Sequence, residues 1–460
     1  MKILTLALLL LAAPLAAAQQ NPCYTIEDMP VPKDITLEVG GICFTNSGAL
    51  LVCTRWGEVW SVKNGKWTLF ASGLHEPLGI WAERDDEVYV MQRPELTRLR
   101  DTRGAGKADS FETVCDDWFM LGLETEYTFG LARDRDGNFW SALGPNWDAS
   151  PKSAYRCWSF KITPQGKAER WSCGLRNADG ICVTPDNDVF LIDNQGEWTA
   201  ACSLHHATKD AFHGCPWGTH SSERLKGVAL TPEALDPLRK RPAVIFPYDH
   251  LARSPTQPIV DTTEGKFGPF AGQIFVGDHT NPVICRVALE QVGGEFQGAC
   301  FPFVTGMNLG NHRLAFSPDG ELYIGQTVRG WLGSGGEGIQ KIVYSGKMLF
   351  EIHHIAARSD GFELHFTQAV NEKLAAVPAT YAMRSFRYNY WSGYGSPEID
   401  IVAEPVKSVT ISEDKTCVIL TLGDLKKERI YEFIMSTLAS AESAPLVNKK
   451  AWYTLNRIPK

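Results

Sequence analysis

Six segments of this chain repeat one pattern: an apolar strand, a turn rich in Asp, Asn or Gly, then a second apolar strand ending in polar residues. The best formed is Asn311–Trp331, NHRLAFSPDGELYIGQTVRGW, in which Arg313–Phe316 and Glu321–Gly325 flank the turn Ser317-Pro318-Asp319-Gly320. Proline presets φ for such a turn, and glycine supplies a positive φ at no steric cost. Earlier copies begin at Gly41, Gly79, Gly130 and Gly180, about 38 to 51 residues apart, and a more distorted one begins at Gly268. A single hairpin cannot bury its own apolar face, so a chain built of hairpins has to stack them. The spacing suits one four-stranded blade per repeat and predicts an all-β fold, a six-bladed β-propeller over residues 19–345. A pair of β-sandwiches would not repeat one unit with the same polar ends.

The pattern stops near Tyr344-Ser345-Gly346. Beyond it, Phe350–Ile355, Gly361–Phe366, Ser408–Ile411 and Cys417–Leu422 read as strands separated by turns, which predicts an immunoglobulin-like β-sandwich over residues 346–460. The Tyr388–Tyr394 run, YNYWSGY, reads first as buried aromatics and second as a platform for a sugar ring. An insertion over about Trp198–Pro242 interrupts the repeats, and its His205, His206 and His213 read as surface residues.

Residues 1–18 have the form of a signal peptide: Lys2, an apolar run Ile3–Leu11, then Ala16-Ala17-Ala18. No later stretch reaches the ~20 apolar residues of a transmembrane helix, so a periplasmic or secreted protein is expected. Twelve cysteines in an oxidising compartment predict disulfides. Cys157 with Cys173 and Cys285 with Cys300 flank turns and are expected to staple hairpins; Cys43 and Cys53 also flank a turn. There is no CxxCH, so no covalent haem is expected. A net charge of −8 without a basic run argues against nucleic acid.

In a propeller, residues before the first strand and after the second of each blade gather at one mouth of the axial channel. Those before the first strand are His75 and Glu76, Glu124 and Glu126, Arg176, Asn177 and Asp179, and Asn311, His312 and Arg313. Those after the second are Arg55, Gln92, Arg93, Asn146, Asp193, Asn194, Gln195, Asp278, His279, Gln326 and Arg329. Polar residues over a dry scaffold are the usual anatomy of a small-molecule site. Within it, His312 can act as base and Arg313 as anion clamp. Asp278 and His279 form either an acid–base pair or, with His75, His312 and Glu126, a divalent-ion site. GxSxG, HExxH, P-loop and GxGxxG patterns are absent, which removes the serine hydrolase, zincin, kinase and Rossmann classes.

Four stretches carry a family resemblance: RLRDTRGAGKADSFETV (Arg98–Val114), ADGICVTPDNDVFLIDNQGEW (Ala178–Trp198), DTTEGKFGPFAGQIFVGDHT (Asp261–Thr280) and the Asn311–Trp331 hairpin. With the tail Tyr453–Pro459, they make the chain similar to the soluble quinoprotein glucose/sorbosone-dehydrogenase-like propellers, in particular a bacterial branch often fused to a CxxCH haem module. The resemblance implies a six-bladed propeller, a carbohydrate substrate, pyrroloquinoline quinone (PQQ) with calcium, and an external electron acceptor. Two departures stand out. Arg103 and Ala105 occupy an acidic loop, Asp101–Asp109, where further oxygen ligands are typical. The third-blade stretch Glu124–Tyr127 lacks the histidine base those dehydrogenases place there.

The expected function is oxidation of an aldose or related alcohol at the axial mouth. His312 would serve as base, with Arg313, Arg176 and Arg329 on cofactor or substrate oxygens. The alternatives are a metal-assisted carbohydrate lyase or hydrolase using Asp278, His279, His312 and Glu126, and a non-catalytic glycan-binding scaffold.

Overall fold

The computed structural model describes residues 21–120, 126–144, 153–327 and 337–460. Five of the six repeats, all but the one at Gly268, form the two inner strands of a four-stranded antiparallel sheet. The innermost strands are Val39–Phe44, Gly79–Arg84, Thr128–Arg133, Ala178–Val183, Pro255–Val260 and Asn311–Phe316, and we number blades 1 to 6 in that order. Each innermost strand packs against the next, and the sixth packs against the first, so the sheets close into a six-bladed ring. The N-terminal strand Tyr24–Asp28 supplies the outer strand of blade 6 by pairing with Gly338–Tyr344. First and last segments of the propeller thus share one sheet, which ties the ring shut.

Turn chemistry is as expected. Gly320 adopts φ +89° in the blade 6 turn, and a side chain there would run into Lys266. Blade 5 differs from expectation: its innermost strand is Pro255–Val260, upstream of the repeat read at Gly268, which covers only a loop and the second strand Ile274–Asp278. Two prolines disguise that strand. They are tolerated because an innermost strand is a sheet edge, with one row of N–H groups unused by the ladder.

The insertion also differs. It contributes Ser203–His206 as the third strand of blade 4. His205 and His213 are therefore buried rather than on the surface, with ring centroids 4.6 Å apart and His213 Nε2 3.0 Å from Ser172 Oγ. Burial pushes His205 down to about 3. His206 is half-buried and pairs with Asp188 at 3.0 Å.

The cysteine staples do not form: all twelve thiols are free. The ladder explains why, since Trp158 rather than Cys157 faces Cys173, and Val287 rather than Cys285 faces Cys300.

The C-terminal strands form two sheets around one core. Ile352–Ala357, Gly361–Phe366, Cys417–Thr421 and Ser408–Ile411 make a four-stranded sheet. Lys450–Leu455, Arg429–Ile434, Ala382–Tyr388 and Glu398–Ala403 instead extend blade 5, through Ala299 opposite Tyr453, into an eight-stranded sheet. Phe362, Leu364, Tyr431, Phe433 and Tyr453 pack with Ala299 and Phe301 of blade 5. Arg286, fully buried, donates to the carbonyls of Ile352 (2.6 Å) and His353 (2.7 Å) and so fastens blade 5 to the following strand.

Candidate functional site at the propeller axis

Many of the recurring polar residues at strand ends clasp their own blades. Asp193, ending the second strand of blade 4, accepts N–H bonds from Arg176 (2.9 Å) and Asn177 (2.6 Å) in the loop before the first strand. Asp278 does the same in blade 5, taking N–H bonds from Arg253, Ser254, Thr280 and Asn281 at 2.7 to 3.1 Å. In blade 2 the acceptor is Gln92 Oε1, reached by His75 N at 2.5 Å. In blade 6 Gln326 Nε2 donates to Asn311 Oδ1 at 3.1 Å. In blades 2, 4 and 5 the carboxylate or amide oxygen satisfies backbone N–H groups that the bend into the first strand leaves unpaired, whereas in blade 6 the clasp joins two side chains. Asp278 therefore does not orient His279, because its oxygens hold backbone. Asn194 and Gln195 shape the following loop, with Gln195 Nε2 donating to Ala200 O at 3.1 Å.

A different device aims side chains at the axis. In blades 1, 4 and 6 the innermost strand carries one extra residue at the same place: Gly40 between Val39 and Gly41, Asp179 between Ala178 and Gly180, His312 between Asn311 and Arg313. Such bulges break the alternation of a strand and redirect a side chain. Here they bring Asp179 Oδ1 to 3.3 Å from His312 Nε2, while His312 Nδ1 lies 3.0 Å from Val39 O. Both ring nitrogens thus face acceptors, and serving both takes a proton on each. Burial and the neighbouring Arg313 oppose that charge and push His312 down. Burial also disfavours the Asp179 carboxylate, but His312, Arg313 and His279 outweigh it and hold the group at about 2.

Arg313, only 1% exposed, crosses the centre of the ring. Its Nε donates to Gly40 O (2.9 Å) and Leu78 O (3.3 Å), and its Nη1 to Asp179 O (3.1 Å) and His312 O (3.0 Å). One side chain therefore joins blades 1, 2, 4 and 6. His279, from blade 5, lies with its ring 6.4 Å from that of His312 and is only partly buried. Desolvation and His312 push it down to about 4, and its ring hydrogen-bonds the backbone of Thr327. A neutral imidazole with one nitrogen so engaged keeps a lone pair on the other.

Blades 1 to 3 hold a second polar group at the rim. Glu76 binds Arg55 Nη2 (3.1 Å) and Arg93 Nη1 (2.8 Å), and Tyr127 lies under both guanidinium groups and accepts from Arg55 at 2.8 Å. His75 beside it has a side chain 61% exposed. Glu126 is fully buried, and its carboxylate pairs at 2.9 Å with Arg156, a residue with no repeat-based sequence signal. Among the described residues, Glu126, His75, His279 and His312 do not bring three ligand atoms together, so the divalent site expected of them does not assemble. Asn146, Arg329 and Glu124 lie outside the described residues.

Arg176 extends beside blade 4 toward Glu197 (3.4 Å) and over the ring of Tyr394, 5.3 Å from its centroid. Tyr394 belongs to the aromatic run and stays 52% exposed, as Trp391 does at 45%. Gly395 N donates to Gly196 O at 3.0 Å, which pins this C-terminal loop to blade 4. A separate cleft of about 840 Å³ lies off the axis, between the insertion and the C-terminal strands, lined by Trp198, His213, Arg239 and Tyr390 among others.

The cofactors implied by resemblance fare differently. PQQ is an anionic, acceptor-rich quinone, and the axis offers a buried guanidinium nitrogen, Arg313 Nη2, without a hydrogen-bond partner among the described residues, beside a neutral His279. These residues fit such a group. The calcium loop does not fit: Asp101 spends its oxygens on the N–H groups of Arg103, Ala105 and Gly106, and Asp109 on Thr102 and the Arg103 side chain.

The architecture recurs in solved structures. The putative glucose dehydrogenase of Thermus thermophilus is 18% identical with a TM-score of 0.53, over 70% of this chain and 100% of that one. The PQQ-bound aldose sugar dehydrogenase of Streptomyces coelicolor is 17% identical with a TM-score of 0.50, over 71% and 99%. The holo PQQ domain of a Coprinopsis cinerea pyranose dehydrogenase is 13% identical with a TM-score of 0.53, over 72% and 98%. These likenesses show a shared glucose/sorbosone-dehydrogenase-like propeller fold, as the sequence resemblance implied. No curated protein matches the sequence. Among the described residues, no helix is long and apolar enough to cross a membrane. A family model described as a domain of unknown function, DUF7133, matches residues 63–330, and the chain belongs to that family.

Proposed function

We propose that this protein is an exported oxidoreductase that oxidises an aldose or related alcohol at the axial mouth. The observation that carries the reading is the meeting of Asp179, His312, Arg313 and His279 at the axis of a fold shared with sugar dehydrogenases. His279 is the better base than His312, whose two nitrogens are spent on Val39 O and Asp179. His279 would take the substrate hydroxyl proton on its second ring nitrogen, and the hydrogen on the adjacent carbon would leave with two electrons as hydride to the bound quinone, so that a lactone or carbonyl product is left. Asp179 favours the protonated form of His279 through charge, which strengthens it as a base without a direct bond. Arg313 and Arg176 would bind the carboxylates of PQQ, which when bound supplies the two-electron acceptor. Tyr394 offers a flat ring for the sugar.

The chain reads as a signal peptide over 1–18, a propeller over 19–345 and an immunoglobulin-like sandwich over 346–460 that braces blade 5, in a periplasmic or secreted protein with a diffusible electron acceptor.

The test is absorbance titration of the purified protein with PQQ, followed by dye reduction with a panel of aldoses. Saturable binding with sugar-dependent reduction supports the reading. Sugar binding without reduction, with PQQ bound, would leave the glycan-binding scaffold in its place.

A further inference from the structure

Glu363, His365 and Cys417 bring three kinds of metal-binding atom together on the outer face of the C-terminal four-stranded sheet, away from the propeller axis. Strand Gly361–Phe366 alternates, with Phe362, Leu364 and Phe366 buried in the core and Glu363 and His365 turned outward. His365 sits opposite Cys417 on the adjacent strand. The carboxylate oxygen, imidazole nitrogen and thiol sulfur all lie within 4.8 Å of one another. His365 Nε2 is the hub, 3.2 Å from Glu363 Oε2 and 3.8 Å from Cys417 Sγ.

Hydrogen bonds alone serve this arrangement poorly. A protonated Nε2 serves Glu363 and leaves the thiol contact unserved; an unprotonated one turns its lone pair on a carboxylate. A single cation satisfies all three. At the bond lengths zinc takes with nitrogen, oxygen and sulfur, a tetrahedral ion holds neighbouring donor atoms about 3.3 to 3.7 Å apart. The two contacts of His365 sit close to that separation. The donors are also held in advance. Arg358 Nη1 binds the other oxygen of Glu363 at 2.5 Å, and the ring of His354 lies flat on that of His365, 4.2 Å away at 7°. The side chains of Glu363 and His365 remain 27% and 32% exposed, which leaves room for a solvent ligand.

We propose that Glu363, His365 and Cys417 form a binding site for a divalent transition-metal ion of zinc's borderline softness, with water at the fourth position. The mixed oxygen, nitrogen and sulfur set selects against calcium and magnesium, which take oxygen alone. Binding forms a metal–sulfur bond as the S–H proton of Cys417 leaves for solvent.

The test is titration of chelator-treated, full-length protein with Co²⁺, read by thiolate-to-cobalt absorption in the near ultraviolet, then displacement by Zn²⁺. One equivalent should bind with a thiolate band. Cys417→Ser should abolish the band, His365→Asn should weaken Zn²⁺ binding roughly tenfold or more, and Cys43→Ser should leave both unchanged. Absence of the band in the wild-type protein, its survival in Cys417→Ser, or unchanged Zn²⁺ affinity in folded His365→Asn would each overturn the proposal.

Discussion

Asp179 Oδ1 and His312 Nε2 lie 3.3 Å apart although 133 residues separate them, because each is the extra residue of a bulge in an innermost strand. Two different blades must close in the ring before the contact exists. It therefore reports at once on closure and on the electrostatics of the axis.

Replacing Asp179 with Asn keeps the shape and removes the anion. The charge that favours protonation of His279 goes with it, so sugar oxidation should fall about 100-fold in kcat/KM, the lower end of what acid–base assistance supplies. PQQ affinity measured by absorbance should change far less.

Arg313 holds the carbonyls of Gly40, Leu78, Asp179 and His312 and faces the Asp179 carboxylate at 3.8 Å. Arg313→Met strands a buried anion and several buried acceptors, so unfolding free energy should drop by about 3 to 5 kcal/mol. Chemical denaturation of the two proteins side by side checks this.

The Glu126–Arg156 pair is equally buried, at 2.9 Å, and lies between the rim and the third blade. Arg156→Met removes the cation paired with the buried Glu126 carboxylate and should also cost about 3 to 5 kcal/mol, whereas the double change Glu126→Leu with Arg156→Met should recover much of that loss. A double-mutant cycle in urea measures the difference.

The repeat was legible because a propeller blade is local: strand, turn and strand follow one another in sequence, and the turn at Pro318-Asp319-Gly320 shows its chemistry openly. What escaped reading depends on pairing across distance. Tyr24–Asp28 carries no mark of the blade it completes, and nothing in Lys450–Leu455 announces that it will extend blade 5. Pro255 and Pro258 hide an edge strand. Asp193 and Asp278 looked like site residues because a clasp and a binding residue both put a carboxylate at a strand end; only the direction of the side chain tells them apart. Asp179, His312 and Arg313 were visible as candidates, but a bulge has no signature beyond an extra residue. Their contact could not be read.

Acid should weaken the fold through the blade 4 insertion. His205, buried and held down at about 3, takes no proton in the native state at mildly acidic pH, while the unfolded chain takes one below about 6.5. Its contribution is therefore intact above that value and declines by about 1.4 kcal/mol per pH unit as pH falls toward 3. Thermal unfolding at pH 7 and pH 5 should show a smaller acid penalty in His205→Phe than in the parent.

We place proton transfer at the axis on His279, and the pH profile of kcat/KM for PQQ-dependent aldose oxidation tests that assignment most directly. A base held down at about 4 predicts activity that stays level from neutral pH down and falls only as pH drops through that value, with His279→Asn at least about 100-fold slower and PQQ still bound. Wild-type turnover from a His279→Asn protein would contradict the account.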